Sequence, residues 1–380
     1  MDENKRGSFG SNIGFLLSAI GSAVGLGNIW GFPYKMGRCG GFTFLIVYLC
    51  LAAFVGFAIM LSELAIGRST GFGPVNAYKK ISKKFKWIGW LAIISPFLIM
   101  TFYSVLGGYC IYYMIINVVG LFSGMPDSSS FGALLTNPWA SIGCLLLFMV
   151  ICYLINRGGV GGGIEKFNTI GMPALFVMLV IVIIRAWTLP NADVGLKYMF
   201  VPGYALKAGF FEKAPGFMEV LATAGGQMFF SLSLAMGAMI TYGSYLGKDE
   251  NLPKNSVIIV ISDTLVAIMA GLAVIPAAVA NGIAPKDLFH INSKADWCAD
   301  WLDFMDMISE GIAMPLGAML MSIMVGWEIK PKSLYGEIDS GYNGHIHGFY
   351  TFCIKYLCPV IMFFILLVQI STFFGLGWFN

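Results

Sequence analysis

Polar residues in this chain gather in short clusters, and between them run apolar stretches of bilayer-crossing length. Nine such runs are read between polar or turn-rich breaks. They cover residues 12–34, 41–66, 87–120, 139–156, 167–188, 217–246, 255–282, 304–328 and 349–376. The longest loops, 190–215 and 281–303, leave no room for a soluble domain. The pattern predicts an all-α integral membrane protein with about nine transmembrane helices.

Composition strengthens that reading. Of 380 residues, 58% are hydrophobic and 11% charged, with a mean hydropathy of +0.78. A soluble domain is nearer 45–50% apolar and about 25% charged. No cleaved leader is expected, because MDENKRGSFG passes straight into a segment of spanning length. Most Lys and Arg fall on one side if the N-terminus is inside, among them Lys5, Arg6, Arg68, the cluster from Lys79 to Lys86, Arg157, Lys166, Lys248, Lys254, Lys330 and Lys332. That bias predicts a cytoplasmic N-terminus and an outward C-terminus. Because the basic residues flank spans, the net charge of +3 calls for no nucleic-acid partner.

Catalytic chemistry is not indicated. No nucleophile–base constellation is visible, and His290, His345 and His347 all lie in loops, which excludes a membrane-embedded His-ligated metal. Cys50, Cys110, Cys144, Cys152, Cys353 and Cys358 sit in apolar runs as small hydrophobes. Cys39 and Cys298 fall in loops placed outside the membrane, and sequence does not decide their pairing.

Two runs are unusual. SAIGSAVGLGNIWGFPY, residues 18–34, carries glycines, a proline and Asn28 inside the first span. Gly21 and Gly25 form a small-xxx-small pair, which on its own indicates close helix packing. AGGQMFFSLSLAMGAMITYGSYL, residues 224–246, interrupts the sixth run with Gly225, Gly226, Gln227, Ser231, Ser233 and Gly237. Interruptions in two corresponding spans point to a transporter binding site, with freed carbonyls for a cation and helix N-termini for an anion. Glu63 and Asp263 are acids within spans, while Asp306 and Glu310 lie near the start of the eighth. A central Asp costs roughly 2.5–3.5 kcal/mol on the insertion scale, so Asp263 is either a hydrated structural acid or a cation ligand. Hard cations take oxygen ligands, and carbonyls, Asn28, Ser231 and Asp263 supply them.

These residues resemble the neurotransmitter:sodium symporter family, particularly its bacterial amino-acid transporters. GSAVGLGNIWGFPY followed by GRCGGFTFLIVYL is similar to the family's first-helix signature, and GGQMFFSLSLAMGAMITYGSYL to its sixth. FYSVLGGY resembles the third helix, DTLVAIMAGLAVIPA the seventh, and WLDFMDMISEGIAMPLGAMLMSIMVGW and KYLCPVIMFFILLV the tenth and eleventh. The resemblance implies an inverted-repeat transporter fold with discontinuous helices one and six. Residues 12–188 would form the first repeat, 217–328 an incomplete second one, and 349–376 an additional helix.

It further implies an amino-acid site formed by Ser22, Ala23, Gly25, Leu26 and Gly27 with Phe230, Ser231, Ser233 and Met236, Tyr103 bonding the substrate carboxylate and Phe230 lying over it. Ala23, Asn28, Ser231 and Asp263 would hold a first sodium ion, closed by the substrate's own carboxylate. Gly21 and Val24 would be the remaining half of a second sodium site. Glu63 resembles a buried acid that holds the interrupted helices, and Gly163 with Pro173 a fifth-helix motif that unwinds. The expected role is sodium-coupled symport of a neutral, apolar or aromatic amino acid in a bacterial plasma membrane. A transport-inactive amino-acid receptor is the alternative, and assembly with further copies is left open.

Four features depart from the family pattern. Gly31 replaces a gate Arg, whose partner position holds Asp306, so Arg38 or water is expected to substitute. Ala235 stands at a usual glycine, where its methyl is expected to narrow the pocket or reshape the backbone. Residues 290–300 are too few and too polar for an eighth and ninth helix, which removes hydroxyl ligands, one pocket wall and a partner for Arg6. The chain also ends after an eleventh-like helix.

Overall fold

The computed structural model describes residues 9–127, 129–288, 301–342 and 344–379, and these contain helices and no strands. Arg6, His290 and Cys298 lie outside them. Each of the nine apolar runs is helical. Seven are continuous: Phe42–Thr70, Ile88–Ser123, Pro138–Arg157, Val160–Trp187, Leu252–Ala280, Phe304–Glu328 and His347–Phe373. They are called here the second to fifth and the seventh to ninth spans.

The first span begins at Asn12, where the Ser11 hydroxyl accepts from Gly14 N at 2.9 Å and satisfies one of the free N–H groups of a helix start. It runs to Ala23, breaks, and resumes as Gly27–Arg38 with a bend of 49°. The sixth span is divided more widely. Phe217–Ser231 and Ala238–Gly243 are separated by a non-helical stretch from Leu232 to Gly237. Both predicted interruptions are present.

Sequence reading did not predict the π turns. They occur at Gly27–Gly31, Ala52–Gly56, Val160–Glu165, Met307–Ala313, Met324–Glu328 and Cys353–Leu357. Each inserts one residue into a helix, and such bulges gather at functional positions. The fifth-helix motif is accordingly wound rather than open. Gly163 lies in a π turn, and the helix continues through Pro173. Four surface helices of eight or nine residues, Pro74–Ile81, Ser129–Thr136, Ala192–Phe200 and Lys332–Asp339, are too short to register as spans.

The interior forms around the second span, where nearly every side chain from Phe57 to Thr70 is buried. The first, sixth and seventh spans surround it, carrying Phe15, Phe32, Phe229, Ile259 and Ile275 into one apolar core. The fourth span has no buried residue, and the fifth only Leu179, Ile183 and Ala186. Their exposed Leu147, Val150, Leu154, Ile181 and Ile184 form apolar outer faces suited to hydrocarbon.

Candidate substrate and sodium site

The two breaks meet at the centre of the helix bundle. At the first, Val24 adopts an extended conformation (φ −75°, ψ 116°), so the next turn loses its regular pairing. Two side chains take over. The Asn28 Oδ1 accepts from Gly25 N at 2.9 Å, and the Tyr103 Oη accepts from Leu26 N at 3.2 Å. Glycine is needed here for close approach. A Cβ on Gly25 would lie 2.5 Å from the Tyr103 hydroxyl, and one on Gly27 would lie 2.7 Å from the Phe230 ring. Gly21 likewise faces Asn168 of the fifth span, so the small-residue packing reading also holds at that position.

The sixth-span break has a different geometry. Ser233, Ala235 and Gly237 have φ of 52°, 59° and 72°, a left-handed backbone that disfavours side chains. The buried Glu63 carboxylate accepts from Ala235 N at 2.9 Å. The Ser233 hydroxyl donates to the Ser22 carbonyl at 2.8 Å, which ties the two breaks together. The Ala235 methyl does not narrow the pocket. It faces the eighth span, where a Cβ on Gly317 would be 3.5 Å from it. The left-handed φ turns the methyl in that direction.

Beside the breaks lies a buried oxygen cluster. The Asn28 amide donates to Asp263 Oδ1 at 2.7 Å, to the Asp263 carbonyl at 3.1 Å and to Ser231 Oγ at 3.0 Å. Ser231 Oγ donates to Asp263 Oδ2 at 2.7 Å. Asn28 and Asp263 are fully buried, and Ser231 nearly so. Tyr48 of the second span, which sequence reading did not single out, approaches Asp263 Oδ2 with its hydroxyl at 3.4 Å. No ion pair to Asp263 is present among the described residues, although a buried anion is costly without a compensating charge. The oxygens gathered here, Asp263 Oδ1, Oδ2 and carbonyl with Ser231 Oγ, are of the kind a hard cation takes, whereas the Asn28 oxygen is turned to Gly25 N and its NH2 faces the cluster.

Other residues expected at the site lie along the two breaks and on the third span. Tyr103 and Phe230 face each other with ring centroids 6.5 Å apart. Gln227 donates to the Gly27 carbonyl at 2.7 Å and fixes the second half of the first span. Ala23 is buried at the end of the first helical half, and Met236 is half-buried within the unwound segment. A recess of about 280 Å³ opens beyond Tyr103 and Leu26, lined also by Gly107, Cys110, Met114 and, from the fourth span, Phe148.

The proposed second sodium position is lined differently. Val24 packs among Leu179, Ile183, Val266, Met269 and Ala273, while Gly21 faces Asn168 and Met172. The Asn168 amide donates to the Ile164 carbonyl at 2.9 Å, which leaves its oxygen toward Gly21.

The far end of the first span holds another correction. Arg38 does not replace the gate charge; its guanidinium donates to Tyr34 Oη at 2.8 Å. The bridge to the eighth span is Lys35 with Glu310, one helical turn along from Gly31 and Asp306 on both partners. Gly31 instead accommodates Gln227, whose oxygen would lie 2.9 Å from a Cβ there. Nearby Cys39 is buried, and burial pushes its thiol up to about 12, so it stays protonated and unreactive. At the opposite end, Glu165 accepts from Gly10 N at 2.9 Å and occupies the space beside Gly14.

Two discontinuous helices meeting at a buried oxygen cluster are the arrangement expected of a membrane transporter. The sequence profile of the Sodium:neurotransmitter symporter family matches residues 6–122 and 124–279, and the chain belongs to this family of sodium-dependent transporters. It is 28% identical to the sodium-dependent transporter YhdH of Bacillus subtilis over 460 aligned positions, covering 98% of this chain and all of that protein. The alignment is longer than this chain, so the relative carries residues that this chain lacks. It is 35% identical to the sodium-dependent transporter MJ1319 of Methanocaldococcus jannaschii over 284 residues, covering 72% of this chain and 56% of that protein. Its fold matches MhsT, solved in complex with L-phenylalanine, with a TM-score of 0.85 at 27% identity, covering 96% of this chain and all of that one.

Proposed function

We propose that this chain couples sodium entry to uptake of a neutral amino acid with an apolar or aromatic side chain, by alternating access in a plasma membrane with the N-terminus cytoplasmic. The observation that carries the reading is the Asn28–Ser231–Asp263 cluster at the point where both breaks meet. In this reading Asp263, Asn28, Ser231 and the Ala23 carbonyl hold sodium. Ser22, Gly25, Leu26, Gly27 and Ser233 present backbone and hydroxyl groups to the zwitterion, and Tyr103 bonds its carboxylate. Phe230 and Met236 contact its side chain. Sodium and substrate then favour each other's binding, which is coupling in the thermodynamic sense. Residues 12–188 and 217–328 would act as the two repeats, the second one incomplete.

An aromatic or aliphatic substrate is supported by the apolar recess around Tyr103. It is also supported by the phenylalanine in the MhsT structure and by 31% identity over 301 residues to the mouse sodium-dependent neutral amino acid transporter B(0)AT3. A second reading, a receptor that binds without transporting, is favoured by one observation. Among the described residues, Val24 is surrounded by apolar side chains where a second ion would need oxygens.

Proteoliposomes separate the two. A carrier accumulates labelled phenylalanine when sodium is imposed outside and stops when the gradient is collapsed. A receptor shows the same sodium-dependent equilibrium binding with no accumulation. Preference for a charged or very small amino acid in competition against the label would overturn the substrate assignment.

A further inference from the structure

Away from the site, a groove of about 760 Å³ runs between the second, seventh and ninth spans, within the size range of ligand pockets. Its walls are apolar. Ala53, Val257, Ile261 and Phe349 are exposed along it, and Thr264 is the lone hydroxyl below its mouth. The recess exists because the second span contributes small residues there, Ala52 and Ala53, on the π turn Ala52–Gly56. Lys254 lies in the first turn of the seventh span, and Tyr342 and His345 lie just before the ninth span begins. These three polar side chains therefore gather at one mouth, at the membrane surface, while Leu49 and Ile268 lie deeper. Lys254 and His345 are exposed, and neither has a carboxylate partner among the described residues.

A polar solute would find nothing along these walls to orient it. An amphiphile with one anionic end matches both the dry walls and the basic mouth, and basic recesses between spans at a membrane surface hold anionic headgroups. We propose that this groove is a binding site for one anionic phospholipid, its acyl chains along Ala53, Val257 and Ile261 and its phosphate at Lys254 and His345. The assignment is independent of whether the chain transports. The leaflet is the one at the end where the seventh span starts, which the charge bias places toward the cytoplasm.

The test uses the full-length chain in neutral detergent, mixed with equal amounts of phosphatidylglycerol and phosphatidylcholine, and reads retained lipid by native mass spectrometry. The parent chain should retain one phosphatidylglycerol in clear preference. Lys254→Gln and His345→Gln should each reduce that preference about fivefold without changing phosphatidylcholine retention. Ala53→Trp, which fills the recess, should remove retention of both. Both glutamine substitutions are at exposed positions and leave the fold intact, so the proposal can be tested even if the tryptophan variant does not fold. Equal retention of the two lipids by the parent chain, or an unchanged preference in the double glutamine variant, would overturn it.

Discussion

The two broken spans reach the same end by opposite means. In the first, one residue turns extended and the helix restarts as a π turn, all within right-handed or extended backbone. Its freed N–H groups are accepted by Asn28, a local side chain, and by Tyr103 from the third span. In the sixth, three alternate residues cross into left-handed backbone, and a carboxylate from the second span accepts from the middle one. A break can thus be created by close packing or by backbone handedness. The first kind is sensitive to added bulk, and the second to loss of the group that holds it.

Substitutions can sharpen that contrast, beginning where both breaks meet. Asp263→Ala removes the buried carboxylate, and sodium-dependent phenylalanine binding should be lost while the protein still expresses. Sodium titration of binding measures this, and unchanged sodium dependence would remove Asp263 from the ion site. Gly25→Ala places a methyl against the Tyr103 hydroxyl and should weaken substrate binding about tenfold or more in an equilibrium assay, as expected for a buried hydrogen bond lost at a crowded position. Glu63→Leu leaves Ala235 N without its acceptor and should destabilise the sixth-span break by about 1–3 kcal/mol, visible as a lower thermal midpoint. Ala235→Gly should have the smallest effect and the opposite sign. Glycine relieves a left-handed residue whose handedness costs roughly 1–2 kcal/mol, so the midpoint should rise slightly. If Ala235→Gly were as disruptive as Gly25→Ala, the handedness account of the sixth break would fail.

Much of this was legible in the sequence, for an identifiable reason. Glycines and amides inside hydrocarbon-length runs conflict with the requirement that every backbone group be paired, so the positions of both breaks were apparent. Asn28, Ser231 and Asp263 were legible as oxygen-bearing side chains inside predominantly apolar runs. The pairing of Lys35 with Glu310 was not legible, because 275 positions separate them and neither carries a local signal of its partner. Nor was the direction of the Ala235 methyl, which depends on the sign of one dihedral rather than on residue type. The π turns escaped as well. A single inserted residue leaves the apolar pattern almost unchanged, and tertiary packing decides where it is absorbed.

The π turn at the head of the fifth span has a mechanical consequence. Rewinding Val160–Glu165 into ordinary α form would shed one residue from the coil, and one residue corresponds to about 100° of rotation about the axis. The contact it would disturb is that of Glu165 with Gly10 and Gly14, at the leading end of the first span. A residue stored in that turn would thus let a peripheral helix loosen the threshold of the central one by a single turn-step.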